Sequence, residues 1–189
     1  QMGALAWGAL LVTASVLPLS PKLALAQTSP GNYPTKPIRL VVPFPAGGAT
    51  DIFARTLSQK LGEKIGSTVV VDNKPGAGGT LGSDLVAKSV ADGYTILLAT
   101  SSTHSIGPNL NPRMPYDAVR DFTPIAQVGN APSIMLVPNS SPAKTIQEWI
   151  ELAKKNPGKL NYASSGNGTI VQLTAELFKS QAGLFVVHI

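Results

Sequence analysis

Val41-Val42-Pro43-Phe44-Pro45-Ala46-Gly47-Gly48-Ala49-Thr50-Asp51-Ile52-Phe53-Ala54-Arg55 is the stretch that decides the fold. An apolar run from Ile38 to Val42 breaks at two prolines and a glycine pair, and an apolar-periodic segment starts at once, with Asp51 placed as its N-cap. The pattern is a strand, a glycine loop and a helix. Glycine has no Cβ, so the loop backbone can come close to an occupant. The first amides of the helix have no partner within it and carry the positive end of its dipole, which favours an anion. A plain strand-to-helix turn with Asp51 as an ordinary cap reads equally well from this stretch alone.

Outward from there the pattern recurs. The first helix is expected from Ile52 to Ile65, with Phe53, Leu57, Leu61 and Ile65 as its buried stripe and Gly66 as its stop. A valine-rich strand, Thr68 to Asp72, suits a sheet covered on both faces. It leads into Pro75-Gly76-Ala77-Gly78-Gly79-Thr80 and a helix expected from Thr80 to Ser89. A third strand, Tyr94 to Ala99, delivers Thr100-Ser101-Ser102-Thr103-His104-Ser105. In a parallel sheet three such loops share one edge, the edge at which open α/β sheets bind ligands. The recurrence favours the binding reading.

Residues 106–120 read as irregular, and Phe122 to Val128 and Ser133 to Val137 as two short strands crossing to a second lobe. Thr145-Ile146-Gln147-Glu148 has capping-box spacing ahead of a helical stripe of Ile146, Trp149, Ile150 and Ala153. Then come a strand from Leu160 to Ala163, a fourth small-residue loop from Ser164 to Thr169, and a helix from Ile170 to Ser180 with Leu173 and Leu177 inward and Gly183 closing it. A last apolar strand, Leu184 to Ile189, has no loop after it, and the chain is therefore expected to be a fragment. The expected organisation is a signal peptide over 1–26, a linker over 27–36, a first α/β lobe over 37–126 and the start of a second over 127–189. The signal reading rests on the apolar run Ala4 to Leu17, on Pro18, and on Ala24-Leu25-Ala26 before Gln27; with no basic residue ahead of the run, the first residues are expected to be missing.

Composition narrows the function. At 43% hydrophobic the chain can build a core, and with no cysteine it can hold neither a disulfide nor a thiolate metal site. The net charge of +5 comes from scattered lysines and arginines whose longest run is Lys154-Lys155, which argues against nucleic acid. Gly76, Gly78 and Leu81, like Gly166, Gly168 and Val171, miss the dinucleotide fingerprint at its third glycine. The two histidines, His104 and His188, stand outside any zinc-hydrolase motif; His104 is a packing residue or a ligand contact. The enzymatic alternative is a serine acylase acting on small organic acids, because Ser141-Pro142-Ala143-Lys144 fits S-x-x-K and Ser165-Gly166-Asn167 resembles S-D-N. The cap at Thr145 leaves Ser141 and Lys144 in the turn before the helix, and no K-T-G follows.

Several ordered motifs together carry a resemblance. Tyr33-Pro34, Pro37-Ile38-Arg39, Val42 to Asp51, Val71-Asp72-Asn73-Lys74-Pro75-Gly76-Ala77-Gly78-Gly79, Asp92 to Leu97 and Tyr162 to Thr169 resemble the Bug family. These are the TctC-type periplasmic solute-binding proteins of tripartite tricarboxylate transporters. The resemblance covers Tyr33 to Ile189. It implies a two-lobed α/β periplasmic-binding-protein (Venus-flytrap) fold, here truncated at its C-terminal side, without catalytic activity, metal or cofactor. It implies a monomer that captures a small carboxylate or related organic solute between its lobes and presents it to membrane permease subunits. The ligand-binding residues would be Phe44, Ala46, Gly47, Gly48, Thr50 and Asp51, then Gly76, Gly78 and Gly79, then Ser101, Ser102 and Thr103, and from the fourth loop Ser164, Ser165, Gly166, Gly168 and Thr169. Helix-start amides and hydroxyls, with ordered water, can hold a carboxylate without an arginine. If 189 residues are the whole protein, the cleft is expected to be incomplete and binding weak or absent.

Overall fold

Five residues, Ile38–Val42, form the central strand β1, and Leu40, Val41 and Val42 are almost wholly buried in it. The computed structural model describes residues 33–189, so the signal peptide and all but the last residues of the linker lie outside the described residues. β1 pairs in parallel with β2 (Val69–Asn73) on one side and β3 (Thr95–Leu97) on the other. Helix α1 (Ala49–Ile65) joins β1 to β2, and α2 (Thr80–Ala87) joins β2 to β3. Each connection between consecutive parallel strands is thus a helical crossover, and the one through α2 carries the chain from one edge of the sheet, past β1, to the other. Leu40, Val42, Ala54 and Leu98 form the core, closed by Phe44, Val69, Val71 and Ile96.

Two details of the packing differ from the sequence pattern. β2 is an edge strand, so Val70 is half exposed rather than covered on both faces. The inward face of α1 is made by Asp51, Ala54 and Ser58, while Phe53 is 41% exposed and Leu57, Leu61 and Ile65 sit at the margin. Small side chains let the helix lie close to the sheet. Gly66 ends α1 in the left-handed conformation, as expected.

After β3 the chain continues as a π-type turn (Ser102–Ile106) and a short helix α3 (Gly107–Leu110), where an irregular segment is expected from the sequence. Pro108 falls in the first turn of α3, where a missing N–H breaks no helical bond. Residues 122–138 form no strand. Ile125, Ile134 and Leu136 are about four-fifths exposed, because a strand needs a partner ladder and none is in reach among the described residues.

Beyond this segment, α4 (Ile146–Lys155), β4 (Asn161–Tyr162), α5 (Ile170–Ala182) and β5 (Val187–His188) follow, with β4 and β5 parallel. Thr145 Oγ1 caps α4 by accepting the Glu148 N–H, and Glu148 reaches back to the Lys144 N–H, one residue earlier than a reciprocal box would place it. Ala153, Leu184 and Val186 form a second core with Trp149, Ile150, Leu160, Tyr162 and Phe178. Leu177 is exposed and Phe178 takes the inward place.

Candidate functional site

The carboxyl ends of β1, β2 and β3 each run into one of the expected loops, and the loops meet. A Cβ built on Gly79 would stand 2.6 Å from Thr103 Cγ2, 3.2 Å from Phe44 Cζ and 3.5 Å from Pro43 Cβ. At φ +97° and without room for a methyl group, only glycine lets the first, second and third loops close on one another. A Cβ on Gly78 would lie 2.8 Å from the Asn167 carbonyl oxygen, which brings the fourth loop against the second. The third and fourth loops join as well, since the Ile170 N–H donates to Ser102 Oγ at 3.1 Å.

The first loop is held by charge. Gly48, not Asp51, is the N-cap of α1, and no side chain caps it. Asp51 sits one turn in and turns back: Oδ2 accepts the Gly47 N–H at 2.8 Å and Arg55 Nε at 2.9 Å. Arg55 goes on to Asn73 Oδ1 at 3.3 Å, and Asn73 Nδ2 to the Phe44 carbonyl at 3.1 Å. The ring of bonds ties the loop to the end of β2. Arg55 and the Gly47 amide hold the Asp51 carboxyl down to about 2. The first backbone bond of α1 runs from the Ile52 N–H to the Gly48 carbonyl, and the helical amides before it have no partner within the helix.

The third loop is braced from inside. Thr103 Oγ1 bridges the Thr100 amide and carbonyl and meets His104 Nδ1 at 2.8 Å. Tyr116 donates its hydroxyl to the Thr103 carbonyl at 2.8 Å. His104 lies among the rings of Tyr116 and Phe122, and burial lowers its pKa. That places His104 in packing.

In the fourth loop, Thr169 Oγ1 caps α5 by accepting the Gln172 N–H and donates to the Gly166 carbonyl at 2.7 Å. Ser164 Oγ accepts the Gly166 N–H at 3.1 Å and lies 2.8 Å from His188 Nε2. Gln172 Oε1 accepts the Gly168 N–H at 2.6 Å. His188 and Gln172 were not readable as site residues. His188 reaches the loop only because β5 pairs with β4, 24 residues away from Ser164.

Of the expected residues, Ala46, Gly47, Gly48, Ser101 and Ser165 are exposed at the rim, and Phe44, Thr50, Gly76, Gly78, Ser164, Gly166 and Gly168 are half-buried beside them. Asp51, Gly79, Ser102, Thr103 and Thr169 are buried and hold the loops in place. The acylase pair is not assembled: Lys144 Nζ donates to the Asn139 and Ser141 carbonyls, and Ser141 Oγ accepts the Ala143 N–H. A separate open depression lies between α1 and β2, lined by Arg55, Ser58, Gly62, Thr68 and Val71, away from the loop tips.

A parallel α/β sheet whose strand ends run into glycine and hydroxyl loops that meet one another, each leading into a helix, defines the chain as having a periplasmic-binding-protein fold. Solved structures agree. A periplasmic transporter protein superposes with a TM-score of 0.82 at 42% identity, over 84% of this chain and 53% of that one. An R. palustris protein solved with adipate gives 0.81 at 35%, with 84% and 53% covered. MatC from Rhodopseudomonas palustris, solved with bound malate, gives 0.77 at 29%, with 83% and 53% covered. The family model described as tripartite tricarboxylate transporter family receptor, TctC, matches residues 53–189, and the chain belongs to that family. The protein of the tcbD-tcbE intergenic region in Pseudomonas sp. is 42% identical over 174 residues, 88% of this chain and 52% of the relative. BugT of Bordetella pertussis is 39% identical over 159 residues, 84% and 49%. The chain spans about half the length of the curated relatives it matches.

Proposed function

We propose that the protein is a periplasmic receptor, not an enzyme, that holds a small dicarboxylate against the rim of four loops and presents it to the membrane permease subunits of a tripartite tricarboxylate transporter. It acts as a monomer and needs no cofactor. The first lobe, 37–126, supplies three loops and the second, from 127, the fourth. The rim residues Ala46, Gly47, Gly48, Ser101 and Ser165, with the half-buried Phe44, Thr50, Gly76, Gly78, Ser164, Gly166 and Gly168, face the solute; the buried residues keep them in register.

The observation that carries this reading is the meeting of the loops at Gly78 and Gly79, which brings the starts of α1, α2 and α5 to one place. Three helix starts on one rim favour an anion more than any one of them does. The adipate and malate bound in two structural neighbours support a small dicarboxylate as the solute. The Ser164 and His188 pair does not favour hydrolysis, because the other ring nitrogen of His188 faces the Gln172 amide and no carboxylate.

Amide NMR shifts during titration with adipate test the reading. Saturable shifts confined to the four loops are expected, with weak affinity above about 1 mM, and the neutral diamide of the same length should give none. Equal shifts with the diamide, or none up to about 100 mM adipate, would contradict it.

A further inference from the structure

The direction of each hydrogen bond around the fourth loop follows from one backbone amide. The Gly168 N–H can only donate, so the Gln172 atom 2.6 Å from it is the carbonyl oxygen. The other end of that side chain is therefore NH2, and it lies 3.1 Å from Asn167 Oδ1 and 3.4 Å from His188 Nδ1. An amide NH2 has no lone pair to offer, so His188 Nδ1 must accept. A neutral imidazole that accepts at Nδ1 carries its proton on Nε2 and donates it. The atom that receives it is Ser164 Oγ, at 2.8 Å.

Ser164 Oγ also accepts the Gly166 N–H. Both lone pairs of the hydroxyl are then filled and only its proton is left. Its acceptor among the described residues is the Gly166 carbonyl, a long 3.3 Å away and already engaged by Thr169 Oγ1 at 2.7 Å. The ring of His188 makes no ion pair among the described residues: it packs on Tyr162 at 4.8 Å, and the nearby Glu176, which interacts with it through charge, is hydrogen-bonded by the Tyr162 hydroxyl and by Lys179 Nζ.

We propose that His188 and Gln172 are positioning residues that make the Ser164 hydroxyl a one-way donor, so that the loop accepts a carboxylate oxygen and rejects a ligand group that can only donate. This rests on the carboxylate reading of the rim. A poorly engaged proton on a fixed oxygen is ready for an anion without rearrangement, and a hydrogen bond to a charged acceptor is stronger than the neutral one it replaces.

Two measurements test this on the full chain. Long-range proton–nitrogen NMR of the His188 ring near pH 7.5 reads the tautomer with no ligand present. The Nε2–H form is expected, and an Nδ1–H form would overturn the relay even if adipate binds. The second compares His188→Gln, whose amide can still donate to Ser164, with His188→Leu, which cannot. Adipate affinity should stay within about threefold for His188→Gln and fall about tenfold or more for His188→Leu and Ser164→Ala. Equal loss in both His188 variants would overturn the positioning role. An Nε2–H ring in a wild-type chain that shows no adipate shifts would overturn the ligand assignment and leave the bond directions standing.

Discussion

The first and fourth loops both bring a helix start to the same rim, yet they are held by opposite means. In the first, a buried carboxylate and an arginine hold the backbone through charged hydrogen bonds. In the fourth, side chains other than carboxylates carry the load: a threonine cap, a glutamine and a histidine. The physical difference is where the positive potential comes from. Asp51 near the start of α1 would oppose an incoming anion, and Arg55 on the same carboxylate offsets it. The start of α5 has no acidic side chain in its first turn, so no carboxylate there opposes its dipole.

The largest effect should come where the loops touch. Gly79→Ala places a methyl 2.6 Å from Thr103 and 3.2 Å from Phe44 at φ +97°. It should destabilise the fold by about 2–4 kcal/mol in urea unfolding, through overpacking and a disfavoured backbone. A value near zero would mean that the loops do not pack as described.

Next comes the charged brace. Asp51 has its pKa lowered from 3.8 to about 2, so the unfolded chain takes up its proton first as the pH falls. The brace is at full strength above pH 3.8 and fades as the pH drops towards about 2. Asp117, which the Arg120 and Val119 amides and the Arg120 guanidinium also hold at about 2, adds to the same acid limb. Asp51→Asn should lower the Tm by a few degrees at neutral pH and shrink that limb without removing it, as thermal melts between pH 2 and 7 would read. No matching change below about pH 4 is expected from Gln172→Met, since residues 164–169 carry no carboxylate.

The smallest effect is at the join between third and fourth loops. Ser102→Ala removes the acceptor of the Ile170 amide and should cost about 1 kcal/mol, a typical cap value, measured by urea unfolding.

How far the sequence carried depends on how local each feature is. Ile38–Val42 and the stops at Gly66 and Gly183 were legible because apolar runs and left-handed glycines act on their own neighbours. The start of α1 lies three residues ahead of the expected Ile52, since Asp51 is inside the helix and bonds back to the loop rather than standing at the helix edge. The strands expected over 122–128 and 133–137 have the right composition, but pairing is a property of two segments and the pattern of one does not supply it. Among the site residues, the glycine and hydroxyl loops stood out as recurring punctuation. His188 did not, since its role exists only once β4 and β5 are side by side.

A crystal structure of the chain grown with adipate tests the central claim most directly. One carboxylate should lie within hydrogen-bond distance of amides in both the 46–50 and 164–169 loops, with Ser164 Oγ donating to it. Adipate seated instead in the depression by Arg55, Ser58 and Thr68, with the loop tips bare, would contradict the account.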